Sequence, residues 1–279
     1  MPSLTTTSLF RSRAGRVAPI AVGLLIATGF LPGAVSATVI LDGCGDASSD
    51  FGTSCSLAEL DPLGPVTGGT ITINDKIFEN WTANRTSSTF GNNDFFRASI
   101  RVDPIDDPLN PGLTFVDTTD AWNHDVEFSL DDITFDVRVL SGQALIKDVE
   151  LITEVGRIAS GTPPDGIDGF VGVDYLVTNG IVDSVETTCG LVSCANTTIS
   201  DSVTFAPHSA IHLSGSVNVI SGQAPGAGAG AQVISHTVLI SQVSVPQPSA
   251  LLLLGLGMLA TLAARIRVGH AGRPAARRS

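Results

Sequence analysis

Four cysteines are the first residues of this chain whose spacing suggests a definite chemistry. They form two local pairs, Cys44 with Cys55 and Cys189 with Cys194. Neither spacing is the CxxC pattern of a metal site, and no histidine lies nearby in the sequence. In an oxidising compartment the local pairings are the simplest of three connectivities, so we predict two disulfide bonds.

Two histidines, His208 and His212 in "PHSAIH", are four residues apart. On a helix they would face the same side and share a metal ion, but the HExxH motif also needs a glutamate directly after the first histidine. Ser209 stands at that position. In a strand the two residues would lie about 13 Å apart, at about 3.3 Å per residue. We therefore predict two surface histidines.

Acidic residues cluster on segments that are rich in turn-forming residues, in "DPIDDP", "DTTD", "SLDDITFD" and "PPDGIDG". Calcium prefers six to eight oxygen ligands, which loops of this kind often supply. Asp165 and Asp168 in "PPDGIDG" are the first candidate ligands, although no EF-hand pattern is present. The alternative is that acidic loops keep an exported protein soluble by self-repulsion. We expect no other cofactor.

No familiar catalytic motif stands out in the sequence. It has no GxSxG, no HExxH, no glycine-rich nucleotide loop and no cysteine near a histidine. Two carboxylates that meet across a sheet could hydrolyse glycosides, but 27 acidic residues make any choice arbitrary. Exposed aromatic residues for sugar binding are scarce, with Trp81, Trp122 and Tyr175 as the only tryptophans and tyrosine. We expect Trp81 to pack in the core and the protein not to be an enzyme.

The charge of the chain is divided into three segments. All 27 acidic residues lie between Asp42 and Asp201, with only seven basic residues among them, which gives this region a net charge of −20. Three arginines precede it and five follow it. The central region repels phosphates, so nucleic acid is excluded as a partner.

The central region, residues 38–245, has the pattern of an all-β domain. "ITFDVRVL" alternates apolar and polar residues with period two, as a half-buried strand does. The same pattern appears in "VELITEVGRI", "FVGVDYLVT", "TTISDSVTF", "AIHLSGSVNV" and "VISHTVLISQV". We predict an antiparallel β-sandwich. We also expect one helical turn at "SLAEL" and a hairpin connection at "GQAPGAGAGAQ".

The first 37 residues have the features of a signal peptide. The basic cluster "RSRAGR" precedes the apolar stretch "VAPIAVGLLIATGFL" and the small residues of "PGAVSA". Signal peptidase requires small residues before its cleavage site. We predict cleavage between Ala37 and Thr38.

The C-terminal residues 249–264 carry no charge, and arginines follow them. We predict a single transmembrane helix over 249–268, because Arg265 and Arg267 can extend toward lipid phosphates. The Arg-rich tail, residues 265–279, should remain cytoplasmic. Pro246 and Pro248 force an extended backbone before the helix.

This C-terminal region resembles the PEP-CTERM sorting signal of Gram-negative bacteria. The motif residues are Val245, Pro246, Gln247 and Pro248, and Gln247 stands where the family usually has glutamate. "GGTITINDKIFENWT" and "NPGLTF" are similar to the opening half of many exported domains with this signal. The resemblance implies recognition by an exosortase, transient insertion into the inner membrane, and release of the domain to the cell surface or extracellular polysaccharide.

We therefore expect three segments: a signal peptide (1–37), an acidic exported β-sandwich (38–245) and a sorting signal (246–279). The expected function is that of a structural or adhesive protein associated with exopolysaccharide. Two alternatives remain open. One is a carbohydrate-binding module or carbohydrate-acting enzyme on the same sandwich, and the other is a stably anchored single-pass membrane protein.

Overall fold

The structure is a computed structural model that describes residues 38–44, 53–62, 68–88, 91–124, 128–140, 144–158, 169–190, 192–221, 230–244 and 258. Ala37, the sorting motif 245–248, Arg265, Arg267, Asp165 and Asp168 lie outside the described residues. Of the predicted transmembrane segment only Met258 is described, with helical backbone. Within the described ranges, no helix has the length and hydropathy needed to cross a membrane.

Strands dominate the described part of the chain. They are β1 (Val39–Asp42), β2 (Cys55–Ser56), β3 (Thr70–Ile73), β4 (Lys76–Ser88), β5 (Ile100–Ile105), β6 (Gly112–Asp117), β7 (Asn123–His124), β8 (Phe128–Val139), β9 (Ala144–Ile158), β10 (Phe170–Thr178), β11 (Asp183–Cys189), β12 (Thr197–His208), β13 (Ala210–Ile220) and β14 (Ala231–Ser244). Two α-helices, α1 (Leu57–Leu60) and α2 (Asn93–Ser99), and a 3₁₀ turn at Val192–Cys194 complete the described elements.

The strands form two antiparallel sheets that pack around one core, so the predicted β-sandwich is confirmed. Sheet A has the order β1-β3-β4-β8-β13-β10-β11, and sheet B has the order β12-β9-β14-β6-β5-β2, with β7 paired to β14. The pairings are antiparallel throughout both sheets.

Alternation along the strands places apolar residues between the sheets. In β8, Ile133, Phe135 and Val137 are fully buried while the residues between them are partly exposed. The period of two follows from the pleat, which points successive side chains to opposite faces. The predicted strands "FVGVDYLVT" and "AIHLSGSVNV" coincide with β10 and with most of β13.

The predicted helical turn at "SLAEL" is confirmed as α1. Its N-cap, Ser56, accepts a hydrogen bond from the Glu59 amide, and the Glu59 carboxylate accepts one from the Ser56 amide at 2.6 Å. This reciprocal capping box satisfies two donors that a helix otherwise leaves free. Helix α2 was not expected, because its two turns are too short to show a convincing 3.6-residue period; it is capped by Asn92.

The expected hairpin at "GQAPGAGAGAQ" is wrong. The strand before it, β13, lies in sheet A, and the strand after it, β14, lies in sheet B. Strands of different sheets are not hydrogen-bonded to each other, so this segment connects the two layers. Two neighbouring strands of alternating pattern do not by themselves reveal whether they pair or face each other.

Both predicted disulfide bonds are present, Cys44–Cys55 and Cys189–Cys194. The first joins the end of β1 to β2, which are the edge strands on one side of the sandwich. The second joins the end of β11 to the turn before β12, the edge strands on the other side. Each lateral edge of the sandwich is therefore closed by a covalent link between the two sheets.

Candidate functional site

The outer face of sheet A carries the polar residues that alternate with the core residues of its strands. Strand register aligns one polar row across five neighbouring strands, because each member lies opposite the next in the ladder. From β4 to β11 the row consists of Asn84, Asp132, Ser216, Asp174 and Glu186. It presents amide, hydroxyl and carboxylate groups side by side.

Hydrogen bonds within the sheet hold two carboxylates of this row. Ser216 Oγ donates to Asp174 Oδ1 at 2.6 Å, and the Thr86 hydroxyl donates to Asp132 Oδ2. Strands lie about 4.8 Å apart, so Asp132 and Asp174 are separated at the backbone by about 10 Å with β13 between them. The oriented oxygens can accept hydrogen bonds from hydroxyl groups laid across the strands.

A second polar cluster on this face lies nearer the beginning of β4. Asp136 accepts a hydrogen bond from Asn80 Nδ2 at 2.8 Å and lies 2.6 Å from His212 Nδ1. Arg138 donates from Nε to Glu79 Oε1 at 2.8 Å, and this hydrogen bond raises the pKa of Arg138. The register shifts after Glu79, where Asn80 has φ 58°. Such bulges re-aim side chains, here turning Asn80 toward Asp136.

An apolar row lies at the other end of the same face. Phe128, Ile220 and Phe170 are in register on β8, β13 and β10. Phe128 and Ile220 are 39% and 37% exposed. Phe170 covers Gly172, where an added Cβ would lie 3.1 Å from a ring atom, so the glycine makes room for the ring. The face therefore combines an apolar shelf with hydrogen-bonding rows.

The aromatic residues considered for sugar binding lie elsewhere. Trp81, as predicted, packs in the core, with its ring stacked on Phe135 at a centroid distance of 4.8 Å. Trp122 and Tyr175 are completely buried between the sheets. None of the three is available to a ligand on the outer face.

The two histidines of "PHSAIH" are both partly exposed, as predicted, and belong to different sheets. His208 ends β12 in sheet B, and His212 belongs to β13 in sheet A. They therefore do not act together on one helix face. Among the described side chains, no group of three or more histidine, cysteine, aspartate or glutamate residues is close enough to hold a metal ion.

A small cleft lies beside the Cys44–Cys55 bond, where the edges of the two sheets approach each other. It is open to solvent, has a volume of about 570 Å³ and is lined by Val39, Thr53, Ser54, Arg101, Asp103 and Pro104. Arg101 binds Asp103 with Nε and Nη2, both at 2.8 Å, and this pairing raises the pKa of Arg101. The cation is thus already neutralised within the cleft.

Sequence reasoning missed the buried polar groups of the core. His236 is fully buried, and its Nε2 lies 2.9 Å from the Tyr175 hydroxyl. Arg85 binds Asp131 through two hydrogen bonds of 2.7 and 2.9 Å, with both side chains buried. Asp131 and Arg85 are 46 residues apart in sequence, and His236 and Tyr175 are 61 residues apart. A local sequence pattern therefore cannot predict that either pair is in contact.

Comparison with known families identifies the C-terminal region. Residues 244–268 match the PEP-CTERM protein-sorting motif, and the match includes Pro246, Pro248, Arg265 and Arg267. The chain therefore carries this sorting motif, as its sequence predicted. The motif implies export through the cell envelope of a Gram-negative bacterium, delivery to the surface and processing by an exosortase. A search of curated proteins found no significant match.

Solved structures with partial similarity include TmCBM61 in complex with β-1,4-galactotriose, at 12% identity over 60% of this chain and 88% of that chain, with a TM-score of 0.28. A family 29 carbohydrate-binding module is 13% identical over 59% of this chain and 88% of its own, with a TM-score of 0.19. At these TM-scores the likeness carries no argument about the fold or the ligand of this chain.

Proposed function

We propose that this chain is a non-catalytic structural or adhesive protein of the cell surface or extracellular polysaccharide, delivered there by its C-terminal sorting motif. The match at residues 244–268 carries the proposal, because it implies export and surface delivery of the domain that precedes it. The outer face of sheet A supports it, since its rows of amide, hydroxyl and carboxylate groups suit hydrogen bonding to polysaccharide hydroxyls.

The proposed route begins with cleavage by signal peptidase between Ala37 and Thr38. Residues 249–268 then insert into the inner membrane, with Arg265 and Arg267 on the cytoplasmic side. An exosortase cuts near Pro246 and Pro248 and releases the domain. The two disulfide bonds fit this route, since disulfides persist in oxidising compartments outside the cytosol.

The experiment expresses the full chain in a Gram-negative host that has an exosortase and produces exopolysaccharide. Fractionation and mass spectrometry follow the domain and its C-terminus. We expect the domain in the surface or polysaccharide fraction, without peptides from "ARIRVGHAGR". If the domain stays in the inner membrane with those peptides intact, the protein is a stably anchored single-pass protein instead.

A second candidate function is specific carbohydrate binding, which the apolar row favours. Phe170 and Ile220 offer a shelf to the apolar side of a sugar ring, and Asn218 lies beside them on β13. Affinity electrophoresis of the released protein in gels that contain the host exopolysaccharide tests this. The variant Ile220→Asp should lose retardation if the shelf binds sugar, whereas Thr198→Asp, on the outer face of sheet B, should not.

If the polysaccharide retards Ile220→Asp and Thr198→Asp equally in the gel, the result favours adhesion through a broad polar surface. Release of reducing ends from the same polysaccharide would contradict both forms of the proposal and point to a carbohydrate-acting enzyme. An inactive protein with shelf-dependent retardation would identify a carbohydrate-binding module.

A further inference from the structure

The first and last described residues of the exported domain lie at the same end of the sandwich. Strand β14 ends at Ser244, which pairs with Ala144 at the start of β9. Val39, directly after the predicted new N-terminus Thr38, pairs with Ile73 just before the turn that leads into β4. The Thr38 amide is also 3.2 Å from Asn74 Oδ1 in that turn. We call this end, with the turns at 74–75, 106–111, 140 and 179–182, the exit end.

The exit end lies close to the proposed membrane helix for a covalent reason. The last described strand residue is Ser244, and the proposed helix begins at residue 249. Four residues separate them and span at most about 14 Å even when fully extended, at about 3.5 Å per residue. The headgroup region takes up about 5–8 Å of this span. The exit end therefore lies within about 10 Å of the headgroups and faces the bilayer while the precursor is anchored.

Exposed apolar side chains are concentrated at this end. Leu109 is 70% exposed, Leu140 50%, Val182 90% and Val243 38%. Leu109 lies in the β5–β6 turn, Leu140 follows β8 and Val182 lies in the β10–β11 turn, so the four side chains come from both sheets. Several exposed apolar side chains at one end of a domain are typical of an interaction surface.

Hydrogen bonds fix these tips relative to the point where the chain leaves the domain. Gln242 Nε2 donates to the Pro108 carbonyl at 2.6 Å, and Ser241 Oγ donates to Asn110 Oδ1 at 2.7 Å. The fully buried Lys76 reaches across from sheet A and donates from Nζ to Gln242 Oε1 at 2.5 Å. The end of β14 and the turn that carries Leu109 therefore move as one body.

The charges at the exit end determine which lipid headgroups it can approach without electrostatic repulsion. The carboxylates of Asp106, Asp107 and Asp183 lie next to the apolar tips in sequence, and Asp107 Oδ1 accepts from the Leu109 and Asn110 amides. The nearby cations are already paired, Lys76 with Asp75, Lys147 with Asp148 and Arg138 with Glu79. This arrangement disfavours an anionic surface and favours zwitterionic headgroups.

We propose that the exit end docks on the outer surface of the inner membrane in the anchored precursor, with Leu109, Leu140, Val182 and Val243 in contact with a zwitterionic phospholipid surface. This inference rests on the proposed insertion of residues 249–268. The proposed membrane helix tethers the domain and keeps the exit end at a high effective concentration near the lipid surface. A few apolar side chains are therefore enough to hold the contact. Cleavage by the exosortase removes the tether, and the domain then leaves the membrane.

The experiment uses the chain from Thr38 to Ser279 reconstituted in phosphatidylcholine vesicles. Its four cysteines are all in disulfide bonds, so an added cysteine is the single thiol for an environment-sensitive fluorophore. Labels at Leu109→Cys, Leu140→Cys and Val182→Cys should show a blue shift and quenching by lipid-borne spin labels. The matched control Thr198→Cys, exposed near the other end of β12, should show neither.

The outcomes separate the inference from the proposed function. If the precursor resists carbonate extraction but its exit-end labels are as solvated as the control label, the docking proposal is wrong and the proposed insertion stands. Extraction of the precursor by carbonate contradicts insertion itself and removes the docking with it. Replacing half of the lipid by phosphatidylglycerol at low salt should weaken the blue shift; a stronger shift would overturn the choice of a zwitterionic surface.

Discussion

At the scale of single residues, the most unusual feature is a histidine in the centre of the apolar core. His236 stacks on Phe115 at a centroid distance of 4.6 Å and shares a hydrogen bond with the Tyr175 hydroxyl. Its Nδ1 has no partner among the described residues. Burial lowers the pKa of His236 to about 3 and raises that of Tyr175, so both side chains are neutral in the folded protein.

This burial predicts how stability depends on pH. The folded state keeps His236 neutral, whereas the unfolded chain binds a proton below about pH 6.5. The free energy of unfolding should therefore fall as the pH decreases from about 6.5 toward 3, and His236 should contribute a loss of about 2 kcal/mol between pH 7 and pH 5. Urea denaturation of wild type and His236→Gln at both pH values measures it, and an equal loss in both proteins would contradict the prediction.

The buried ion pair of Arg85 and Asp131 is the second residue-scale feature. Trp122 Nε1 also donates to Asp131 at 3.1 Å, and Arg85 donates to the Ala121 carbonyl at 3.0 Å. Burial raises the pKa of Asp131, and the hydrogen bonds from Arg85 oppose that shift. The pair thus joins β4 and β8 to the turn after β6. Each of its two buried charges is compensated by the opposite charge and by further hydrogen bonds.

Removal of one partner should cost more than removal of both. Asp131→Asn leaves the Arg85 cation buried without its counter-charge, and we expect a loss of about 3–5 kcal/mol in the free energy of unfolding. Arg85→Met combined with Asp131→Leu removes both charges and should recover much of that loss. Chemical denaturation of the three proteins provides the comparison. A double variant that is no more stable than Asp131→Asn would mean that the charge is not the cause.

At the scale of elements, the two disulfide bonds link the two sheets along the lateral edges of the sandwich. An edge strand is hydrogen-bonded to a neighbour on one side only, so fewer backbone hydrogen bonds hold it than hold a central strand. Here β1 and β2 are linked on one side, and β11 is linked to the turn before β12 on the other. The links keep the sheets from separating at the places where no further strand holds them.

Loss of either link should destabilise the sandwich from its edge. The closed loops have sequence separations of 11 and 5 residues, so each bond should contribute about 2–3 kcal/mol, with the longer loop contributing more. We expect the variants Cys44→Ala/Cys55→Ala and Cys189→Ala/Cys194→Ala to unfold at lower denaturant concentration. Hydrogen exchange should increase first in β1 and β2 for one and in β11 and β12 for the other. Uniform exchange changes would argue against edge closure.

The sequence predicted the elements better than their arrangement. Period-two alternation identifies β10 and β13, because their inner residues face the core and their outer residues face solvent. The order of strands depends on pairings between distant segments, such as β4 with β8 and β9 with β14, which local patterns do not encode. The disulfides were predictable because both pairs are local, whereas the outer face of sheet A required the register of five strands.

At the scale of the whole molecule, charge and hydropathy divide the chain into segments of different composition. The region from Asp42 to Asp201 carries all 27 acidic residues, and five arginines follow the C-terminal apolar segment. Strand β14 ends at Ser244, where the match to the sorting motif begins. The folded domain therefore reaches the processing region directly, without a linker between them.

This continuity predicts how the sorting motif should respond to substitution. Proline removes a backbone donor and is excluded from paired strands, so we expect Pro246 and Pro248 to keep the motif extended and unpaired. Pro246→Ala/Pro248→Ala should therefore reduce exosortase cleavage, and the uncleaved precursor should accumulate in the inner membrane at several times the wild-type level. Mass spectrometry of the C-terminus in each fraction measures this, with Gln247→Glu as the matched control that keeps both prolines. Cleavage at the wild-type rate without the prolines would show that the processing enzyme does not require an extended backbone here, and that Arg265 and Arg267 or the apolar segment carry the recognition.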